Sequence, residues 1–310
     1  GVIIPTQDLG NIYRQWQELG QEMPFALCLG VDPAISMAAG YPLPTGLNES
    51  ELLGAWYREP VQVVKCETSD LLVPASTEIV IEGMVSLQTE LQEGPMGEYG
   101  GYVWTGRHKQ VPCFHVTAMT YRDNPIMPLC VAGVPVEENH TNWGMNIAAS
   151  IQYSLRKTDL PVKECFIPME SAAHWLVVTV DRNRSETDDN ALALEIGRAV
   201  FASRGGSYIP KVIIMDDDID PGNLSQLIWA SATRHHPDRR MALADQYMFP
   251  LVAYLSQEEK DASVSTRVIY NCLTPFHNWP KEVRPVEASF RGYSKALQQH
   301  VIENWENYGF

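Results

Sequence analysis

The 310 residues hold enough apolar material for two domains, and 45% hydrophobic with 20% charged residues is a soluble, globular balance. A formal net charge of −15 excludes the clustered Lys and Arg that nucleic acid or an anionic bilayer demands, but not a local pocket for a small anion. The six cysteines are scattered with no CxxC pair, which argues against a zinc knuckle. Scattered thiols, no secretory leader and no apolar run of membrane-spanning length point to a cytoplasmic enzyme rather than a membrane protein.

In chain order, Gly1–Pro5 reads as the interior of a strand with no initiator Met, so a preceding segment, in this chain or another, is expected. The spacing of Ile12, Trp16 and Leu19 predicts a helix over 11–20, stopped by Gly20. Phe25–Val31 reads as a buried strand, and Pro33–Ala39 as a helix capped by Asp32 with Pro33 at its first position. Pro42, Pro44 and Gly46 mark a loop. Residues 60–122 are strand-rich: Val61–Cys66, Ile79–Val85 and Cys113–Met119 suit an antiparallel barrel or sheet. A long helix over 142–156 leads to a second unit. There, strands at Cys165–Pro168, Trp175–Val180 and Lys211–Met215 alternate with helices at 189–203 and 223–231, an α/β pattern. A last helix over 293–307 suits docking onto a partner subunit.

Among candidate chemical groups, Glu93-Gly94-Pro95-Met96-Gly97-Glu98 is the strongest, because two carboxylates flank a tight Gly-Pro turn. Held in one site, like charges push one pKa up and leave one carboxyl protonated near neutral pH, as a general acid needs. Two solvated loop acids are the plain alternative. Glu49 and Asp8 are hard oxygen ligands of the type that binds Mn2+ or Mg2+, or else surface acids. The run Asp216–Asp220 is a metal site or a capped turn, and His235–Arg240 is a basic clamp or a solvated helix end. No GxGxxG, P-loop or GxSxG motif is present.

A resemblance now emerges. Val73–Gly83, Glu93–Tyr99, Thr120–Asn124, Glu137–Thr141, Asp217–Asp220, Thr233-Arg234, Phe249–Leu251 and Asn304-Trp305 are, in series, similar to the UbiD family of prenylated-FMN-dependent decarboxylases. The likeness covers essentially the whole chain and is strongest to the ferulic acid and pyrrole-2-carboxylate branch. It implies an α+β fold: a β-rich split-barrel flavin domain over 1–140, a linker helix over 141–160, and an α/β oligomerisation domain over 161–310 in a homodimer or larger homo-oligomer. It implies a carboxy-lyase, one that reversibly decarboxylates an aromatic, heteroaromatic or α,β-unsaturated acid through a covalent adduct with prenylated FMN. A separate flavin prenyltransferase would supply that cofactor. By position, Glu98 matches the general acid and Glu93 its partner carboxylate. Glu49 matches a ligand of the divalent metal and of K+, and Asp8 stands where close relatives have a metal-binding His. Ile4 and Gln7 match residues over the flavin, Arg204 a phosphate-binding cation, and Ala38, Ala39 and Tyr41 the carbonyls that hold K+. Tyr99, Asn139, His140, Trp143, Phe249 and Leu251 match the substrate pocket. The family's catalytic Arg and an Asn metal ligand have no counterpart here, and neither Arg107 nor Arg122 replaces that Arg. The alternative implied is a catalytically incomplete flavin-binding or assembly subunit.

Overall fold

The computed structural model describes residues 3–44, 46–104, 110–181, 183, 188–276 and 279–309. The N-terminal half begins with α1 (Asp8–Glu18), β1 (Met23–Leu29), α2 (Pro33–Ala39) and α3 (Glu49–Tyr57). The hairpin β2 (Val63–Lys65) and β3 (Leu72–Pro74) follows, then β4 (Ile79–Gln92), β5 (Met96–Gly97), β6 (Val103–Trp104) and β7 (Gln110–Tyr121). β1, β4 and β7 form one antiparallel sheet with β4 in the middle. Among the described residues this sheet does not close into a barrel.

α1 starts one turn earlier than its periodicity predicts. It buries Gly10 and Tyr13, whereas Ile12 and Leu19 are exposed. The Tyr13 hydroxyl donates to the Ser86 carbonyl at 2.7 Å, which sets the rotation of the helix against the sheet. α2 is capped as predicted, the Asp32 side chain accepting from the Ala34 N–H at 2.8 Å. The loop expected before Glu49 ends at Asn48, which forms a capping box with Glu51 and makes Glu49 the first residue of α3. Ile3–Pro5 are not in a strand.

A π-helical turn at Asn139–Trp143 runs into α4 (Gly144–Leu155). Then come β8 (Val162–Phe166), β9 (Trp175–Val180), α5 (Asp189–Ala202), β10 (Lys211–Asp216), α6 (Leu224–Arg234), β11 (Arg240–Tyr247), α7 (Gln257–Ala262), β12 (Val264–Asn271) and α8 (Lys295–Glu303). The sheet order is β11-β12-β10-β9-β8, with β9, β10 and β12 parallel and antiparallel strands at both edges. Alternation along β9 and β10 explains why both strands are apolar throughout. Leu176, Val178, Val212 and Ile214 face a core shared with α4 and α5. Val177, Ile213 and Met215 face a second core under α6. Ile214→Ala on the central strand is expected to cost about 3 kcal/mol, read as a lower denaturant midpoint.

α4 belongs to this C-terminal core through Ile147, Ile151 and Leu155. It also reaches the other half: the Asn146 side chain donates to the Met37 carbonyl at 2.8 Å. The two halves therefore meet where α2 and the loop after it reach α4, and where Tyr99 beside Glu98 meets Trp143. α8 has no buried residue.

Candidate active site

β5 and β6 pair antiparallel, with Met96 opposite Trp104 and Gly97 opposite Val103. Glu98 is thus the first residue of the connecting loop. Its N–H donates to the Tyr102 carbonyl at 3.0 Å, and its carbonyl accepts from the Gly101 N–H at 2.9 Å. Gly101 sits at φ +85°, a left-handed turn conformation that glycine takes without steric cost. The hairpin packs tightly: a Cβ on Gly97 would stand 2.7 Å from the Ala132 carbonyl oxygen.

The hairpin brings Glu98 to a cavity of about 290 Å³ lined by Tyr99, Asn139, Trp143, Phe249 and Leu251, with Ser36, Gly40, Glu138 and Asn142. Six residues chosen from the sequence converge there. Burial raises the Glu98 carboxyl above its ordinary pKa; the Tyr99 N–H lowers it in part, and the charges of Glu137 and Glu93 raise it further. Glu93 does not line the cavity, and its charge raises the Glu98 pKa.

The walls are aromatic. Tyr99 stacks edge-on to Trp143 at 5.1 Å, Trp143 to Tyr208 at 5.1 Å, and Tyr208 to Phe249 at 5.0 Å. Burial holds the Tyr99 phenol neutral, its pKa well above the usual value. His140 departs from the expected role. It is buried, does not line the cavity, and spends both ring nitrogens on backbone. Nδ1 accepts from the Glu137 N–H at 3.0 Å, so Nε2 carries the proton that it donates to the Tyr99 carbonyl at 2.8 Å. His140 holds Tyr99 and the turn beside Glu98, and does not reach the cavity.

Tyr208 leads to a second cavity of about 660 Å³, where Gln7, Asp8, Glu49 and Arg204 converge with Thr6, Asn11, Ser207 and Tyr247. The Tyr208 hydroxyl donates to Gln7 Oε1 at 2.6 Å, and burial pushes its pKa up to about 12. Arg204 pairs with Asp8. Arg204 is a donor of the kind that holds phosphate, and Asp8 and Glu49 are hard oxygens suited to Mn2+ or Mg2+. Asp8 can ligate a cation only by sharing its carboxylate with Arg204. The group of three metal-type ligands that stands close enough to hold an ion, among the described residues, is elsewhere: Cys130, Glu137 and Glu138, where the Cys130 thiol donates to Glu138 at 2.8 Å.

Ile4 packs on the edge of the large core. Ala38, Ala39 and Tyr41 line neither cavity. The Ala38 carbonyl accepts from the N–H groups of Gly40 and Tyr41, and the Tyr41 carbonyl from Leu43 alone, which leaves Tyr41 the freer lone pair for K+. The acidic run is structural: Asp218 holds Arg234 in a two-pronged pair at 2.9 and 2.7 Å, and Asp220 caps Gly222. Arg239, expected as a solvated basic residue, is instead turned inward onto the Leu273 carbonyl and Asn271. Arg122 is exposed, and Arg107 lies outside the described residues. Tyr208 and Asn142 were missed because no local pattern marks them, and Glu137, though within the Glu137–Thr141 motif, was given no role. Only the return of 205–208 beneath Trp143 brings Tyr208 to the site.

Residues 1–135 match the family model for the UbiD 3-octaprenyl-4-hydroxybenzoate carboxy-lyase Rift-related domain, and residues 140–272 the one for the UbiD C-terminal domain. The chain belongs to the UbiD family. Within it, the chain is 44% identical over its whole length to the pyrrole-2-carboxylic acid decarboxylase of Pseudomonas aeruginosa. It is 36% identical, again over its whole length, to ferulic acid decarboxylase 1 of Saccharomyces cerevisiae. It spans 63% of the length of each of these UbiD relatives. The UbiD-class enzyme HmfF of Pelotomaculum thermopropionicum, solved in complex with FMN, superposes with a TM-score of 0.76 at 26% identity, over 96% of this chain and 64% of that one. The closed form of the Sedimentibacter hydroxybenzoicus vanillic acid decarboxylase shares the fold at TM-score 0.81 and 22% identity, over 98% of this chain and 62% of that one. The α+β architecture is thus that of the UbiD class.

Proposed function

We propose that this chain carries the acid and the pocket of a prenylated-FMN-dependent decarboxylase acting on a small aromatic or heteroaromatic acid, in the carboxy-lyase class. The observation that carries the reading is Glu98, a carboxyl with a raised pKa lining an aromatic-walled cavity next to a second cavity lined by Arg204, Asp8 and Glu49. The UbiD-class neighbour solved in complex with FMN supports the cofactor, and the relatives named as decarboxylases the reaction class.

The larger cavity would take the cofactor phosphate on Arg204, with Asp8 and Glu49 holding a divalent cation and the carbonyls near Ala38 a K+. When bound, prenylated FMN supplies the electron sink for the pair left behind as CO2 departs. The chain's own residues do the rest. Trp143, Phe249 and Leu251 confine a flat ring and exclude water. Glu98, whose carboxyl keeps its proton to higher pH through burial, delivers that proton to the carbon that has lost CO2 and takes one back in the reverse direction. His140, by fixing the Tyr99 carbonyl, keeps that turn in place. In this reading residues 1–140 hold the cofactor, the 141–160 helix joins the halves, and 161–310 with the unburied α8 would meet a second copy.

The test is the pH profile of CO2 release by the cofactor-loaded protein. The raised pKa keeps Glu98 protonated to higher pH than an ordinary carboxyl, so activity falls on the alkaline side as that proton is lost. Glu93→Gln removes a like charge, lowers the Glu98 pKa and moves this alkaline limb to lower pH. A protein that binds flavin yet releases no CO2 from any aromatic acid would overturn the reading in favour of a flavin-binding assembly subunit.

A further inference from the structure

A third cavity, of about 490 Å³, shares no lining residue with the two described above. It opens on the α6 side of the C-terminal sheet, where Lys211 and Trp175 pair across β10 and β9. Strand alternation puts both residues on the face of Ile213 and Val177, which pack under α6. Leu224 and Ile228 of α6, with Tyr102 and Tyr254, complete an apolar and aromatic wall.

Lys211 brings a cation into that wall. It is half-buried, its ammonium stands 4.8 Å from the centroid of the Tyr254 ring, and burial lowers its pKa with no carboxylate to raise it again. Glu170, at the rim, is exposed and forms no salt bridge with it. An ammonium that has given up part of its water for a ring face, and has gained no anion, is left with an uncompensated charge.

The wall is fixed before any ligand arrives. His174 Nε2 accepts from the Ala253 N–H at 3.2 Å, so Nδ1 carries the proton and donates to the Ala172 carbonyl at 2.5 Å. These two bonds tie together Ala172 and Ala253, both of which line the cavity. Ala172 and Ala173 sit at φ +50° and +55°, a left-handed conformation that costs an alanine strain, and the buried His174 ring holds the loop in it.

We infer that this cavity is a binding site for a small aromatic carboxylate, its carboxylate paired with Lys211 and its ring held among Trp175, Tyr254 and Ile228. A bare inorganic anion would leave the rings wet, and a neutral ring would leave the ammonium unpaired; one ring bearing one carboxylate satisfies both. The site is distinct from the proposed active site but adjoins it. The His174 ring lies 5.7 Å from the Tyr99 ring on one side and 6.1 Å from the Tyr254 ring on the other, so His174 alone separates the two aromatic walls.

The test counts sites on the full-length protein. Equilibrium dialysis against radiolabelled benzoate gives the number bound per chain, and crystals soaked in 4-bromobenzoate locate the ring by the anomalous signal of bromine. Because the smaller cavity also suits an aromatic acid, the readout is a difference: Lys211→Met is expected to bind one benzoate fewer per chain than the native protein. Ile228→Glu sets a like charge at an exposed position of the wall, is expected to lose the same benzoate, and serves if K211M does not fold. Benzamide has the shape without the charge, and about tenfold more of it than of benzoate should be needed to displace the Lys211-dependent label. A bromine peak beside Lys211 is expected. Equal stoichiometry in the native protein and in folded K211M or I228E would overturn the inference. So would bromine confined to the smaller cavity, or benzamide displacing that label as readily as benzoate. None of these outcomes bears on Glu98, whose role is read from turnover.

Discussion

Glu98→Gln is expected to lower CO2 release by about 10³-fold while flavin binding stays within twofold of the native protein, because an amide has the carboxyl's shape but no proton to give. The selectivity of the loss follows from where the residue stands. Glu98 lines the smaller cavity, and Arg204, the residue proposed to hold the flavin phosphate, lines the larger one. Its backbone bonds to Tyr102 and Gly101, which hold the turn, do not involve the carboxyl. Turnover and flavin fluorescence titration on the same preparations separate the two effects. Near-native turnover in E98Q would remove Glu98 from the role of acid, whatever the fate of the cofactor.

The second large effect is structural and acts on the other cavity. A Cβ on Gly206 would stand 1.7 Å from the Val200 carbonyl oxygen, at the end of α5. Backbone cannot yield to it as a flexible side chain would. The same turn is held from the other side by Arg267, which donates to the Gly206 carbonyl at 3.1 Å and the Ser207 carbonyl at 2.8 Å. Burial lowers the Arg267 pKa to about 10, and Arg267 lies under Phe201 and Tyr247. Gly206→Ala must therefore displace residues 205–208, and with them Ser207 and Tyr208. The expected cost is about 3 kcal/mol of stability, the upper part of the range for overpacking a tight site. Flavin affinity should fall at least tenfold as Arg204 and Tyr208 lose their places. Unfolding midpoint and flavin titration check the two halves. An unchanged midpoint would mean the turn adapts without strain.

Some of this was legible before any coordinates. The alternating and continuous apolar runs located β4, β7, β9 and β10, because strand periodicity is a local property. The Gly-Pro turn between two glutamates marked Glu98, since its chemistry and its conformation lie within six residues. Asp32 and Pro33 marked the start of α2 for the same reason. What sequence could not give depended on contacts between distant residues. The rotation of α1 is fixed by Tyr13 on Ser86, so of the face drawn through Ile12, Trp16 and Leu19, Trp16 packs inward while Ile12 and Leu19 are exposed. The resemblance put His140 in the substrate pocket, with a structural hydrogen-bond partner as the alternative, and the contacts that favour the alternative, to Glu137 and to Tyr99 41 positions away, are not written locally. Tyr208 enters the site only through its rings' contact with Trp143 and Phe249. β11, α7 and β12 were not separated because 240–271 mixes charged residues into its strands at both edges of a bulge.

One measurement tests the account most directly. By microscopic reversibility, the group that protonates the decarboxylated carbon must also remove that proton from the product. The cofactor-loaded protein is incubated with the decarboxylated product in D2O, and deuterium at each ring position is followed by NMR. The account predicts exchange at the carbon that bore the carboxyl and a loss of that exchange in Glu98→Gln. Undiminished exchange in E98Q would contradict it.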